Sequence, residues 1–160
     1  LPAFVKKAVR LKAYTYPPGI KVLLKTLARR KDAILALGTG NMEKGARIKL
    51  APSGFNRYFP FGGYGSDSYH RPALLRAAYR RALKRKEGAG LKKKDVFVIG
   101  DTPLDVSAGK AAGFRTVAVC TGWTPRKELA AAKPDFLARD FRNVSRWLGW
   151  FGLKKKTGRA

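Results

Sequence analysis

The sequence predicts an α/β fold in which parallel strands alternate with helices. Short apolar runs rich in β-branched residues recur along the chain, and segments with helical periodicity separate them. The run at residues 96–99 is bounded by turn residues, which is typical of a strand buried on both faces of a parallel sheet. Hydrophobic residues make up 45% of the 160 positions, so the chain can bury a core.

The first half of the chain is predicted to contain four helices and two strands. Apolar residues at helical spacing indicate a helix over residues 1–16, which ends at Pro17-Pro18-Gly19, and an amphipathic helix over residues 20–30. The remaining predictions are a buried strand at 32–37, a helix at 42–50, one short strand within the aromatic and glycine-rich segment 55–68, and a helix at 71–86 with one apolar and one basic face.

The second half repeats the alternation of strand and helix. Glycine or proline bounds most of its elements. In order, they are the strand at 96–99, a helix at 104–112, a strand at 115–120, a helix at 124–132, a strand at 135–138, a helix at 141–150, and a basic tail containing Lys154, Lys155, Lys156 and Arg159.

Polar residues follow two of the predicted strands, at the edge of a parallel sheet where ligands usually bind. Thr39-Gly40-Asn41 places a hydroxyl and backbone amides at a helix start, which suits a phosphate, and the alternative is an ordinary helix cap. Asp101 and Asp105 suit Mg²⁺, which prefers one or two carboxylates with water and phosphate oxygens. The alternative is that Asp101 caps the helix and Asp105 is solvated.

Arg71 opens the basic helix, where a cation opposes the helix dipole. This placement predicts an anionic partner, and the alternative is a surface arginine. The sequence argues against dinucleotide binding, because Glu43 occupies the position of the third glycine of that fingerprint. A P-loop is excluded as well, because no Gly-Lys-Ser/Thr sequence occurs.

The net charge of +25 predicts a polyanionic partner such as RNA, and the alternative is a basic but merely solvated surface. One cysteine and one histidine argue against a dedicated zinc site, and no apolar run is long enough to span a membrane. Nothing in the sequence resembles a signal peptide, so we expect the cytoplasm or an organelle matrix. The nucleic-acid candidates are Arg76, Arg80, Arg81, Lys84, Arg85, Lys86, Lys154, Lys155 and Lys156.

The chain resembles the haloacid dehalogenase (HAD) superfamily of phosphohydrolases, and within it the phosphoglycolate-phosphatase-like members. Three motifs carry the resemblance in the family's order, and Tyr16-Pro17-Pro18-Gly19-Ile20 and Gly62-Gly63-Tyr64-Gly65-Ser66-Asp67-Ser68 extend it over most of the chain. The three motifs are Thr39-Gly40-Asn41, Arg71-Pro72 and Gly100-Asp101-Thr102-Pro103-Leu104-Asp105.

The resemblance implies a Rossmannoid three-layer sandwich and a magnesium-dependent hydrolysis of phosphomonoesters through an aspartyl phosphate. It implies that Thr39 and Gly40 bind the phosphoryl group, that Asn41 shapes their loop, and that Arg71 neutralises the phosphoryl charge. Asp101 and Asp105 are implied to bind or orient Mg²⁺. A small phosphorylated metabolite is the implied substrate.

The chain departs from the family in lacking the Asp-x-Asp-Gly-Thr motif, which supplies the nucleophile on the central first strand of the sheet. Most of the family's cap is missing too. We therefore expect residues 1–16 to be a cap or linker helix, 17–150 the α/β core and 151–160 a basic tail. The sequence begins at Leu1, so we expect the natural start upstream.

Two hypotheses follow. The chain is part of a phosphatase, inactive alone, whose N-terminal segment is removed or supplied separately. Alternatively, it is a non-catalytic relative that binds RNA or belongs to a ribonucleoprotein such as a mitochondrial ribosome.

Overall fold

The computed structural model describes residues 15–153. The predicted helix at 1–16 and the predicted basic tail at 151–160 therefore lie outside the described residues, except for 15–16 and 151–153. Each helix predicted within the described part is present, and the α/β class is confirmed. The elements are α1 (Ile20–Ala28), β1 (Leu37–Gly38), α2 (Glu43–Leu50), β2 (Gly62–Gly63), α3 (Arg71–Leu83), β3 (Phe97–Gly100), α4 (Pro103–Ala112), β4 (Arg115–Val119), α5 (Arg126–Ala131), β5 (Phe136–Ala138) and α6 (Val144–Trp150).

The strands form two parallel sheets, one with the order β1-β2 and the other with the order β3-β4-β5. Each sheet belongs to a separate compact unit. Among the described residues, unit 1 comprises 15–16 and Leu27–Leu91, and unit 2 comprises Pro17–Thr26 and 92–153. The predicted domain boundaries after residues 16 and 150 stay predictions. None of the helices between residues 15 and 153 is long and apolar enough to cross a bilayer.

Unit 1 packs α3 directly onto β2. A side chain at Gly63 would overlap the carbonyl oxygen of Leu74, so the glycine allows the helix to approach the strand backbone. The predicted strand at 32–37 is wrong for residues 32–36, because the ladder between β1 and β2 consists of Leu37 with Gly62 and Gly38 with Gly63. If the same register continued towards the N-terminus, residue 36 would lie opposite Phe61 and residue 35 opposite Pro60. A proline has no backbone N–H to donate to a ladder.

Unit 2 has its core between β4 and the helices that flank it. Val106, Ala118 and Leu129 are almost completely buried together, and Leu137 packs against them. The prediction of a strand buried on both faces at 96–99 is wrong, because Ile99 is 39% exposed. In the three-stranded sheet β3 is an edge strand that pairs with β4 alone, so a neighbouring strand covers only one of its sides.

Helices α3 and α6 each lack three of the predicted residues at one end, for local reasons. Helix α3 ends at Leu83 instead of residue 86, because the backbone is extended at Arg85. Helix α6 begins at Val144 instead of residue 141, because the Asn143 side chain accepts the backbone N–H of Arg146 at 3.0 Å and caps the helix.

The glycine-rich loop after β2 is held by an ion pair between Asp67 and Arg81. The two Arg81 Nη atoms donate to the two Asp67 carboxylate oxygens, both at 2.7 Å, and Asp67 Oδ2 also accepts the Tyr64 N–H at 2.9 Å. The hydrogen bonds from Arg81 hold the pKa of the Asp67 carboxyl below its ordinary value of 3.8. The pair thus joins α3 to the loop that precedes it.

This ion pair predicts a pH-dependent part of the stability. Because the folded-state pKa of Asp67 is lowered, its contribution is complete above the unfolded-state pKa and is lost as the pH falls through the folded-state value. Urea unfolding should therefore show Asp67→Asn less stable than the wild type at about pH 6, and the difference should shrink at about pH 3. Asp95→Asn is the control, and an equal pH-dependent difference for both variants would contradict the assignment.

Candidate functional site

In unit 1, the loop after β1 presents the hydroxyl of Thr39. Thr39 Oγ1 accepts hydrogen bonds from the Asn41 backbone N–H at 3.2 Å and from Asn41 Nδ2 at 3.0 Å. Lys49 Nζ in turn donates to Asn41 Oδ1 at 2.9 Å. With its oxygen accepting twice, the hydroxyl keeps its own proton for donation. The arrangement provides a positioned donor at the carboxyl end of β1.

The loop after β2 lies against the Thr39 loop within unit 1. The Gly65 N–H donates to the Asn41 carbonyl oxygen at 2.9 Å, and a side chain at Gly65 would overlap the carbonyl oxygen of Gly40. This loop leads to His70, the N-cap of α3, and to the solvent-exposed Arg71 in its first turn. The two loops, which follow neighbouring parallel strands, therefore bring a hydroxyl donor and a guanidinium to one edge of the small sheet.

In unit 2, Asp105 contributes to the cap of α4. Thr102 is the N-cap residue, and its backbone N–H and its hydroxyl donate to Asp105 Oδ2 at 3.1 and 2.8 Å. The Thr102 hydroxyl oxygen accepts the Asp105 N–H at 3.3 Å, which completes a capping box. The alternative in which Asp101 caps the helix and Asp105 is simply solvated is wrong, because the cap is Thr102 with Asp105.

Asp101 follows β3 directly and is half-buried. No residue between 15 and 153 donates a hydrogen bond to its carboxylate. Glycine makes room for both carboxylates, because a side chain at Gly122 would overlap Asp101 Oδ2 and a side chain at Gly100 would overlap the carboxyl of Asp105. Gly122 lies in the loop after β4, so two neighbouring strand ends enclose Asp101.

These two carboxylates fit a magnesium ion better than a transition metal. Among the described residues, no group of three or more His, Cys, Asp or Glu side chains could hold a metal. Mg²⁺ needs only one or two carboxylates, since water and phosphate oxygens complete its shell. Asp101 accepts no hydrogen bond from the described residues, whereas Asp105 is fixed through Oδ2 by Thr102.

The structure places the predicted residues in two sets. Thr39, Gly40, Asn41 and Arg71 lie at the carboxyl end of the sheet in unit 1, and Asp101 and Asp105 at the carboxyl end of the sheet in unit 2. The metal and phosphate roles of these residues stay predictions.

The proposed nucleic-acid face of α3 is partly used inside unit 1. Arg81 is paired with Asp67, and the Arg85 guanidinium lies 5.0 Å from the centre of the Phe61 ring. Arg76 is half-buried, whereas Arg80, Lys84 and Lys86 are exposed. Lys154, Lys155 and Lys156 lie outside the described residues. Nucleic-acid binding stays a prediction for this helix.

Sequence reasoning missed three contributors to these loops. Each of them fixes a loop by contacting a residue at least eight positions away in the sequence. These residues are Lys49, Gly122 and Asp67. The sequence offered one weak signal for Gly122. A glycine lies near the end of each of two successive strands, Gly100 at the end of β3 and Gly122 shortly after the end of β4. The carboxylate that requires the glycine belongs to a different loop, so no local pattern identifies it.

Comparison with known proteins supports one family. The family model described as HAD-hydrolase-like matches residues 70–144. Phosphoglycolate phosphatase 1 of Pseudomonas aeruginosa is 29% identical over 127 residues, which cover 79% of this chain and 45% of the relative. The chain spans about half the length of the curated relatives it matches.

Solved structures share the fold. A haloacid dehalogenase-like family hydrolase from Streptococcus pneumoniae superposes with a TM-score of 0.69 at 20% identity, covering 84% of this chain and 59% of the other. The Bacillus subtilis protein YfnB, in a form bound to magnesium, superposes with a TM-score of 0.60 at 15% identity, covering 84% of this chain and 55% of the other. Sequence and fold therefore agree with the resemblance predicted above: the chain is similar to HAD-like hydrolases over residues 70–144 and shares the fold of solved HAD-like structures.

Proposed function

We propose that this chain forms part of a magnesium-dependent phosphomonoester hydrolase that works through an aspartyl phosphate. The observation that carries the proposal is the Asp101 carboxylate at the carboxyl end of β3. It accepts no hydrogen bond from the described residues, and Gly122 leaves room for it. The similarity to a protein named phosphoglycolate phosphatase and the magnesium-bound form of YfnB support the same chemistry.

In this proposal, unit 1 recognises the phosphoryl group. Thr39 donates its hydroxyl proton to a phosphoryl oxygen, because its own oxygen already accepts two hydrogen bonds from Asn41. Asn41 is a positioning residue, and Lys49 holds its amide oxygen. The Arg71 guanidinium neutralises the negative charge that moves between the attacking group, the phosphorus and the leaving oxygen.

Unit 2 supplies the metal ligands. Asp101 would bind Mg²⁺ directly, and Asp105 would orient the ion or its water from a carboxylate that the α4 cap holds in place. When bound, the ion supplies positive charge that stabilises the transferring phosphoryl group.

The 160 residues contain no Asp-x-Asp-Gly-Thr sequence that would supply the nucleophile. We therefore expect this chain by itself to bind Mg²⁺ and phosphate without hydrolysing phosphate esters. An N-terminal segment that carries the nucleophile is the partner that the proposal requires.

Calorimetric titration of the chain with Mg²⁺ in the presence of inorganic phosphate tests the proposal. Asp101→Asn should weaken Mg²⁺ binding by about tenfold or more, because it removes the charged ligand. The matched control is Asp95→Asn, which changes an exposed carboxylate in the turn that precedes the other end of β3 and should leave the affinity unchanged. Equal affinities for the wild type and Asp101→Asn would refute the metal assignment. Multiple turnovers of a phosphate ester by this chain would refute the need for a further segment.

A further inference from the structure

Large apolar side chains are exposed beyond the carboxyl ends of four strands. Met42 is 56% exposed, Leu104 is 65% exposed, and Tyr69 and Trp123 are fully exposed. Each lies four to six residues after the end of its strand, which is β1 for Met42, β2 for Tyr69, β3 for Leu104 and β4 for Trp123. Each unit thus presents two of them on the loops or helix starts that carry its polar candidate residues.

Leu104 and Trp123 are the pair that the structure ties most closely to a candidate site residue. Leu104 lies in the first turn of α4, three positions after Asp101. Trp123 follows Gly122, whose Cα lies so close to Asp101 that a side chain there would overlap the carboxylate. The Asp101 carboxylate, which is the proposed magnesium ligand, is therefore flanked in the chain fold by two exposed apolar side chains from neighbouring strand ends.

Trp123 differs from the other two tryptophans of unit 2, whose rings pack against aromatic neighbours. In the same unit, Trp147 is 1% exposed and stacks on Phe141, and the Trp150 ring stacks on Phe136. Binding sites for small molecules combine a few polar groups with apolar and aromatic walls. A ligand that contacts both the metal at Asp101 and the Trp123 ring must be anionic at one end and apolar at the other.

We propose that Leu104 and Trp123 form an apolar subsite for the leaving group of the substrate. The substrate class is then phosphomonoesters of aromatic or apolar alcohols, in preference to esters of small and fully polar alcohols. This inference rests on the proposed function, because Asp101 must hold the metal that binds the phosphate end. Contact with a planar leaving group removes apolar surface of the Trp123 ring from water.

Calorimetric titration in Mg²⁺ tests the subsite with three probes: inorganic phosphate, glycerol 3-phosphate and phenyl phosphate. The chain should bind phenyl phosphate about tenfold more tightly than glycerol 3-phosphate, and Trp123→Ala should remove most of that preference. Leu104→Ala should reduce the preference by a smaller factor. Its matched control, Leu83→Ala, truncates an exposed leucine at the end of α3 and should leave all three affinities unchanged.

The probes separate failure of the subsite from failure of the proposed function. Binding of inorganic phosphate with no preference for phenyl phosphate would overturn the subsite and leave the proposed function standing. No Mg²⁺-dependent binding of any probe would overturn both. A preference that Trp123→Ala leaves intact would also overturn the subsite. Sedimentation analysis tests the alternative that a second copy of the chain covers the Trp123 ring. If Trp123→Ala dissociated a dimer and left the affinity for phenyl phosphate unchanged, the ring would belong to an interface between chains and the subsite would be overturned.

Discussion

Trp147→Ala is expected to lower the free energy of unfolding by about 3–5 kcal/mol. The Trp147 ring is 1% exposed, and its centroid lies 4.9 Å from that of Phe141 and 5.3 Å from that of Trp150. Its Nε1–H donates to the Asp140 carbonyl oxygen at 3.1 Å, so truncation also removes a hydrogen bond that joins α6 to the end of β5. Domains commonly have about 5–15 kcal/mol of stability in total, so this loss is large.

Urea unfolding followed by circular dichroism measures the effect without relying on tryptophan emission. Trp123→Ala is the matched control, since it makes the same chemical change at a fully exposed position. It should change the free energy of unfolding by less than about 0.5 kcal/mol. Similar losses of stability for both variants would contradict the burial that distinguishes the two rings.

Gly122→Ala is expected to weaken Mg²⁺ binding by about 10–100-fold. A methyl group at this position would overlap the Asp101 carboxylate, so either the carboxylate rotates away or the loop after β4 shifts. Both movements displace the Asp101 carboxylate, which is the proposed metal ligand, from its position at the end of β3. The affinity is measured by calorimetric titration in the presence of inorganic phosphate.

Gly149→Ala is the control for the glycine substitution. Gly149 lies in α6 of the same unit, and nothing lies within 4 Å of the position that its Cβ would take. This variant should bind Mg²⁺ normally and gain up to about 1 kcal/mol of stability from the higher helix propensity of alanine. If Gly122→Ala bound Mg²⁺ as tightly as Gly149→Ala, Asp101 would not be the ligand.

The sequence predicted the helices well because their apolar periodicity is a local property. Leu23, Leu24 and Leu27 share the buried face of α1 as their spacing predicted. Strand extents were less predictable, because a strand needs a partner whose backbone can pair with it. Residues 32–36 are apolar enough for a strand, yet the segment opposite them contains Pro60 and a 3₁₀ turn that cannot continue a ladder.

The sequence predicted which residues belong to the candidate site better than it predicted the contacts that those residues make. Motif order identified Thr39 and Asp101, since each follows a strand. The same order could not show that Asp105 completes the cap of α4 with Thr102, or that Arg81 is taken up by Asp67. Those outcomes depend on which polar group lies nearest in the folded chain. Side chains of one type, such as the arginines of α3, therefore have different roles.

The capping box of α4 makes one carboxylate common to the fold and to the candidate metal site. Asp105 Oδ2 accepts both hydrogen bonds from Thr102, so any ligand that draws this carboxylate away must compete with the start of the helix. Occupancy and helix fraying are then thermodynamically linked, and each changes the other by the same free energy. The backbone amide of Thr102 becomes an internal reporter: its NMR chemical shift and its hydrogen exchange register the state of the site from a residue that is not itself a proposed metal ligand.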